Sequence, residues 1–202
     1  MTQGAVLPMP ATRDRLLQLL VDTHAFKWSE TPQFPLASGA MSRFYIDCKV
    51  LLSHPEARQV VGDLILERIK VPASAVGGLL IGAYPIAIAV SDSAYRKENR
   101  ELRVFAVRKE PKKHGMKKMI EGDVSEGDKV LIVDDVITSG NSTVEAIEKS
   151  RIAGLLVSQA IAIIDRQEQN GKEHIEEQKV KVDALCSLDD LRQFVSAARA
   201  RD

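Results

Sequence analysis

Apolar positions along the chain follow two rhythms. Near the start, Leu16, Leu19, Leu20 and Thr23 recur at helical spacing, and Thr12 with Arg15 opens the run, so residues 11–23 read as a helix. Residues 1–10, with Pro8 and Pro10, read as a loose start. Between Phe34 and Lys49, the apolar positions Phe34, Leu36, Phe44, Tyr45 and Ile46 are interrupted by Ser38-Gly39, the pattern of two short strands around a turn. Pro55 then opens a long amphipathic helix, His54 to Ile69. After Pro72, short and wholly apolar runs alternate with longer amphipathic ones. Ala75–Leu80, Leu102–Val107, Val130–Val133, Ser158–Ile164 and Lys179–Ala184 read as strands, and Ala83–Tyr95, Ser142–Ile152 and Leu188–Ala200 as helices. Short strands that are apolar at every position are buried on both faces. The expected fold is therefore α/β: a mainly parallel central sheet over about residues 72–185, flanked by helices, within a single domain spanning 1–202. In such sheets ligands bind at the carboxyl ends of strands, which directs attention to the loops that follow them.

Composition narrows the function classes. The 202 residues are 45% hydrophobic and 28% charged with zero formal net charge, which disfavours a globally basic nucleic-acid binder. The longest apolar run, Ala75 to Val90, is broken by glycines and Tyr84-Pro85, so no membrane span is expected. The N-terminus shows no basic stretch followed by an apolar core, and no secretory signal is read there. Two cysteines, Cys48 and Cys186, are too few for a disulfide framework and lack metal-site spacing; they read as reduced thiols of a cytoplasmic protein.

The most informative loop follows the strand at 130–133. Val130-Leu131-Ile132-Val133 meets two adjacent carboxylates, Asp134 and Asp135, then Val136-Ile137-Thr138-Ser139-Gly140-Asn141-Ser142 leads into a helix. Gly140 permits a close turn, and successive N–H groups at a helix N-terminus make an anion cradle to which Thr138, Ser139 and Ser142 add hydroxyl donors. Two carboxylates would repel a phosphate; they suit sugar hydroxyls or a Mg²⁺ ion. A capped strand-to-helix turn explains one Asp but not the whole run. No Gly-Lys-Ser/Thr follows, and Gly77, Gly78 and Gly82 lack the dinucleotide spacing, so neither a Walker loop nor a dinucleotide fingerprint is present.

The run 130–142 resembles the motif by which type I phosphoribosyltransferases hold phosphoribosyl pyrophosphate (PRPP). Three further segments, Phe34–Asp47, Val107–Gly115 and Ile164–Glu168, make the chain from about Phe34 to Glu168 resemble the orotate phosphoribosyltransferase family. The resemblance implies an enzyme that moves ribose 5-phosphate from PRPP to orotate in pyrimidine biosynthesis, giving orotidine 5′-monophosphate and pyrophosphate. It also implies a small N-terminal hood over about residues 1–50. Asp134 and Asp135 would meet the ribose hydroxyls, with Asp135 also catalytic, and Val136, Ile137, Thr138, Ser139, Gly140, Asn141 and Ser142 would hold the 5′-phosphate. Mg²⁺ would be the cofactor, held through PRPP with Asp134 and Asp135 as candidate protein ligands. Another nucleobase, or a PRPP-sensing regulator, is the alternative reading.

Between Arg108 and Lys118 six basic side chains and His114 face one Glu, and Pro111 and Gly115 oppose a rigid helix. Such a strip suits a loop that meets developing charge on a leaving group; a solvated charge run is the plainer reading. The resemblance assigns Arg108, Lys109, Lys112 and His114 to PRPP, with Lys112 stabilising the transition state, and implies a homodimer with shared sites. Arg166 would pair bidentately with the orotate carboxylate, with Thr138 nearby, unless it forms a structural pair with Asp165 or Glu168. Tyr45 and Ile46 would contact the base, or else pack in the core. Where some relatives carry Lys, this chain has Ala37 and a loop, Leu80–Pro85, without a cation; the backbone near Gly82 and Ala83 is expected to serve pyrophosphate instead.

Overall fold

The structure, a computed structural model, describes residues 12–35, 41–110 and 118–199. Among these, six strands form the central sheet in the order β10-β9-β8-β5-β6-β7. They are β5 (Ala75–Leu79), β6 (Arg103–Val107), β7 (Ile120–Gly122), β8 (Lys129–Ile137), β9 (Leu156–Asp165) and β10 (Lys181–Ser187). All neighbours run parallel except β6 and β7, which pair antiparallel from Phe105↔Gly122 to Val107↔Ile120.

The strands are apolar at nearly every position because each side of the sheet carries its own core. Val76, Leu131, Val133, Ile161 and Ile163 point to one cluster, closed by α1 (Arg13–Asp22), α2 (Cys48–Ser53), α3 (Pro55–Arg68), α4 (Ala83–Glu98) and α7 (Leu188–Arg199). Their strand neighbours Ala75, Phe105, Val130, Ile132, Ala160 and Ala162 point to the other, closed by α5 (Asn141–Ile152) and α6 (Gly171–Glu176). The period of two is present but invisible as polarity, since both faces are dry. The α/β class and the mainly parallel sheet expected from the sequence are thus what the chain forms.

Several elements differ from the sequence reading. The strand expected over 130–133 continues through both aspartates to Ile137. Helix α4 runs past Tyr95 to Glu98, because Arg96 and Lys97 of its last turn pair with the buried Asp63 of α3 at 2.6 and 3.1 Å, and Asn99 ends it in the left-handed conformation. Strand β7 and helices α2 and α6, of three to six residues, were not read at all. In the N-terminal part, β2 (Phe34–Pro35) and β3 (Met41–Ser42) make the expected antiparallel pair. A second ladder joins β1 (Phe26–Trp28), not anticipated, to β4 (Phe44–Ile46). Residues 1–11, with Pro8 and Pro10, and the turn at Ala37, Ser38 and Gly39 lie outside the described residues, as do Lys112, Lys113, His114, Gly115, Lys117 and Ala200. No described helix is long and apolar enough to cross a membrane. Both cysteines are free and buried.

One close approach positions the site. A Cβ added to Gly78 in β5 would lie 2.2 Å from the carbonyl oxygen of Val133 and 2.7 Å from Cβ of Ala83, the first residue of α4. The end of β8, where the aspartates begin, and the start of α4 therefore meet only because position 78 has no side chain. Gly78→Ala is expected to lower stability in urea titration by about 2 kcal/mol or more, because backbone must move. Gly127→Ala, in open space but at φ 86°, is expected to cost only about 1 kcal/mol.

Candidate functional site

The site gathers at the carboxyl end of β8. Strand geometry sends the two aspartates to opposite sides. Asp134 turns toward α5, where Thr143 donates its hydroxyl to Oδ2 at 2.6 Å and the Asp135 N–H bonds Oδ1 at 2.9 Å. Asp135 turns toward α4, its carboxylate next to Gly82, where an added Cβ would lie 2.9 Å from Cγ. Beyond the pair the alternation lapses: Val136 packs on the α4 side and Ile137 is buried on the α5 side. The side chain of Ile137 is therefore core, and the loop proper is shorter than the sequence suggested, Thr138 to Gly140 before α5 begins at Asn141.

Asp134, Val136, Thr138, Ser139, Gly140, Asn141, Ser142 and Thr143 line a cavity of about 110 Å³, room for a phosphate group, at the N-terminus of α5. The hydroxyls and N–H groups expected to bind an anion are thus brought together. Gly140 has φ 77°, and an added Cβ would lie 2.5 Å from the Gly171 carbonyl; one added to Gly171 would lie 2.3 Å from that of Thr138. Helix α6 therefore backs the cradle at a distance only a glycine pair allows.

Burial drives the chemistry of Asp134. The residue is 6% exposed, and desolvation pushes its pKa up to about 7, with the charge of Asp135 adding to the rise and the Thr143 bond opposing it. Among the described residues no three His, Cys, Asp or Glu side chains converge as a metal site. The pair suits an ion that keeps most of its ligands from substrate and water, as Mg²⁺ does.

The N-terminal part leans over Asp135. Cys48, first residue of α2, lies with Sγ 3.9 Å from the Asp135 carbonyl, and burial raises its thiol pKa well above the ordinary value. Asp47 caps α2 and pairs with Lys49 at 3.2 Å. The bond to Asp47 holds the Lys49 ammonium above its usual pKa against partial burial, and the Asp135 charge contributes to the rise. Lys49 thus holds a cation beside Asp47, next in sequence to the Cys48 that touches the Asp135 carbonyl. The sequence pattern gives it no role, since Lys49 only closes the Phe34–Lys49 segment there. Tyr45 is half-exposed, tilted against Phe34 at 5.9 Å with Lys27 over its ring at 5.8 Å, so it is not core; Ile46 is partly buried against the core.

Arg108 sits at the neck of the basic segment. Its N–H bonds Met119 and its guanidinium faces Glu121 at 3.6 Å. Lys109 is exposed. Lys149 of α5 donates to the carbonyls of Arg108 and Lys109 at 3.0 and 2.7 Å, tying this neck to the helix that starts at the phosphate cradle. Lys112 and His114 lie outside the described residues, so the structure does not locate them. Arg166 is nearly buried and ion-paired with Glu168, one of the two partners the plainer sequence reading offers, and its N–H bonds the Ile137 carbonyl at 2.9 Å.

The raised Asp134 pKa makes a stability prediction. The folded protein holds a proton on Asp134 between about pH 4, the unfolded value, and about pH 7. The stability from this group is complete below pH 4 and is lost as pH rises through 7. Asp134→Asn is expected to melt near wild type at pH 5 and to be more stable than wild type at pH 8, by a few kcal/mol at most. A difference constant from pH 5 to 8 in thermal melts would refute the shift.

The chain has clear relatives among known proteins. No family model matches it. It is 37% identical over 180 residues to an orotate phosphoribosyltransferase of Aquifex aeolicus, covering 89% of this chain and 97% of the relative. It is 36% identical over 195 residues to one of Nostoc, covering 96% and 93%. The fold matches that of Mycobacterium tuberculosis orotate phosphoribosyltransferase, solved in complex with Fe(III) dicitrate, with TM-score 0.77, 30% identity and coverage of 90% and 99%. The same enzyme solved in complex with PRPP matches with TM-score 0.72 and 29% identity, covering 90% and 99%. With relatives of this identity along nearly their whole length, and a cavity of hydroxyls and N–H groups beside a carboxylate pair at the end of β8, the chain belongs to the orotate phosphoribosyltransferase family.

Proposed function

We propose that the chain transfers ribose 5-phosphate from PRPP to orotate, giving orotidine 5′-monophosphate and pyrophosphate. The observation that carries this reading is the convergence of the Thr138–Ser142 cradle, Asp134 and Asp135, and the backbone-anchored Arg166 on the end of one strand. The cradle holds the 5′-phosphate by N–H groups and hydroxyls. Asp135, the more accessible carboxylate, accepts from the ribose hydroxyls, and Asp134 does so through the oxygen edge facing the cavity. Tyr45 stacks on the base and Arg166 takes its carboxylate, with Thr138 close by. Arg108, Lys109, Lys112 and His114, with the backbone at Gly82 and Ala83, receive the pyrophosphate. Mg²⁺, when bound with PRPP, would supply neutralising charge to the leaving group, and Asp134 and Asp135 are the side chains that would hold it. The remaining gain is positional and electrostatic: the ring nitrogen attacks C1 as the bond to pyrophosphate loosens, and no covalent bond to protein is needed.

The active protein is a homodimer. On α4, Tyr84, Ile88 and Tyr95 share one face, continued by Ile81, and all four are exposed, Tyr95 by 68% and Ile81 by 72%. An exposed stripe of this kind, with Ser91 between Ile88 and Tyr95, suits burial against a second copy. The buried free thiols accord with a reducing cytoplasm.

Orotate absorbance should fall when protein, PRPP and Mg²⁺ are mixed, and should hold steady if either PRPP or Mg²⁺ is omitted. No fall despite PRPP binding would turn the assignment to another base or to sensing. Arg166→Ala is expected to raise KM for orotate by roughly tenfold to a hundredfold with a smaller effect on PRPP, as for a lost charge-assisted bond. Lys112→Ala is expected to lower kcat by roughly a hundredfold while orotate binding persists; comparable turnover would remove Lys112 from its role. Light scattering on Tyr95→Glu should show a shift toward monomer.

A further inference from the structure

The guanidinium of Arg166 is already engaged. It is 9% exposed, and it gives Nε–H and one Nη2–H to the two carboxylate oxygens of Glu168 at 2.9 and 3.2 Å. Two parallel bonds fix the plane of the group as well as its charge. They occupy one edge of the fork. Its other edge, Nη1 with the second Nη2 hydrogen, has no recorded acceptor among the described residues.

The backbone around this pair is tightly held. The N–H of Arg166 bonds the Ile137 carbonyl, which leads into the phosphate cradle. Gln167, between the partners, is left-handed with φ 56°, and its N–H bonds Oδ1 of Asp165 at 2.8 Å. The Glu168 carbonyl accepts the Gly171 N–H at 3.3 Å, at the start of the helix that backs the cradle. Gln169 and Asn170 are also left-handed. Three non-glycine residues in that region within four positions form a turn that its surroundings must hold, a condition met at functional sites more than elsewhere.

We infer that Glu168 is a positioning residue for the base: it grips Arg166 side-on, so that the opposite, Nη1 edge meets a substrate carboxylate in a fixed plane. This rests on the reading that Arg166 receives the carboxylate of orotate. A long arginine side chain left free must surrender rotamer freedom each time substrate binds; one already clamped does not. Glu168 also compensates the buried charge of Arg166 before substrate arrives. Without it the guanidinium is buried and unpaired, a condition that drives it to other acceptors. The opposite role, a carboxylate merely standing in the substrate's place, would make removal of Glu168 tighten orotate binding. The two roles differ in sign.

The test is steady-state kinetics of Glu168→Gln and Glu168→Asp, alone and with Arg166→Ala, with KM measured separately for orotate and PRPP and melting temperature as a control. Glu168→Gln is expected to raise the orotate KM about tenfold, the size of one charge-assisted hydrogen bond, and to leave the PRPP KM within about twofold. Glu168→Asp, charged but shorter, should recover part of the loss. In the Arg166→Ala background, Glu168→Gln should add nothing to the orotate KM, because its action passes through the arginine. An orotate KM that is unchanged or lower in Glu168→Gln overturns the inference. So does an equal loss for both substrates, which marks a general disturbance of the turn, or an undiminished effect without Arg166. An orotate KM unmoved by Arg166→Ala alone would instead sink the assignment of the base carboxylate to Arg166.

Discussion

A carboxyl group driven into the end of a strand needs donors, and much of the site depends on how that need is met for Asp134. Its oxygens are satisfied by the Thr143 hydroxyl, from the first turn of α5, and by the next N–H of its own strand. The Thr143 bond spans the loop between strand and helix and so sets how the cradle curves. A buried polar group costs far more unpaired than paired, so the loop has little freedom to relax away from this geometry. The carboxyl is the support on which the neighbouring hydroxyls and N–H groups are aimed.

The same economy of space governs the other walls. Gly78 lets α4 begin against β8 on one side, and the Gly140–Gly171 pair lets α6 back the cradle on the other. Neither helix contributes a long side chain at the contact; each contributes proximity. The ion pair of Arg166 belongs to the same unit, since its backbone bonds Ile137 and its partner's carbonyl caps α6.

The larger features were legible because they are written in long repeats. Apolar runs such as Ala75–Leu79 and Val130–Val133 announce buried strands, and the Asp-Asp-x-x-Thr-Ser-Gly run announces the strand-to-helix turn that lines the cavity. What escaped was either short or tertiary. The three residues Ile120–Gly122 form a strand only because β6 lies alongside, and Gly171–Glu176 a helix only because the cradle needs a backing; neither has enough length for a period to show. The last turn of α4 is charged, so the apolar pattern stops before the helix does, and Asp63 sustains it from another element. The aspartates looked like a strand end because polarity changes there, yet β9 goes on pairing with β8 to Ile137. Lys49 gives no local signal: the helix that carries it meets Asp135 through a tertiary contact of Cys48.

The antiparallel pairing of β6 with β7 has a consequence for that edge of the sheet. A long parallel strand at the rim would offer unpaired N–H and C=O groups to other chains. A three-residue strand, ended by Gly122 at φ 119°, leaves only a short template for such association. Arg108 and Met119, joined backbone to backbone, carry that pairing one step beyond Val107↔Ile120, so the rim is already closed where the basic segment leaves it.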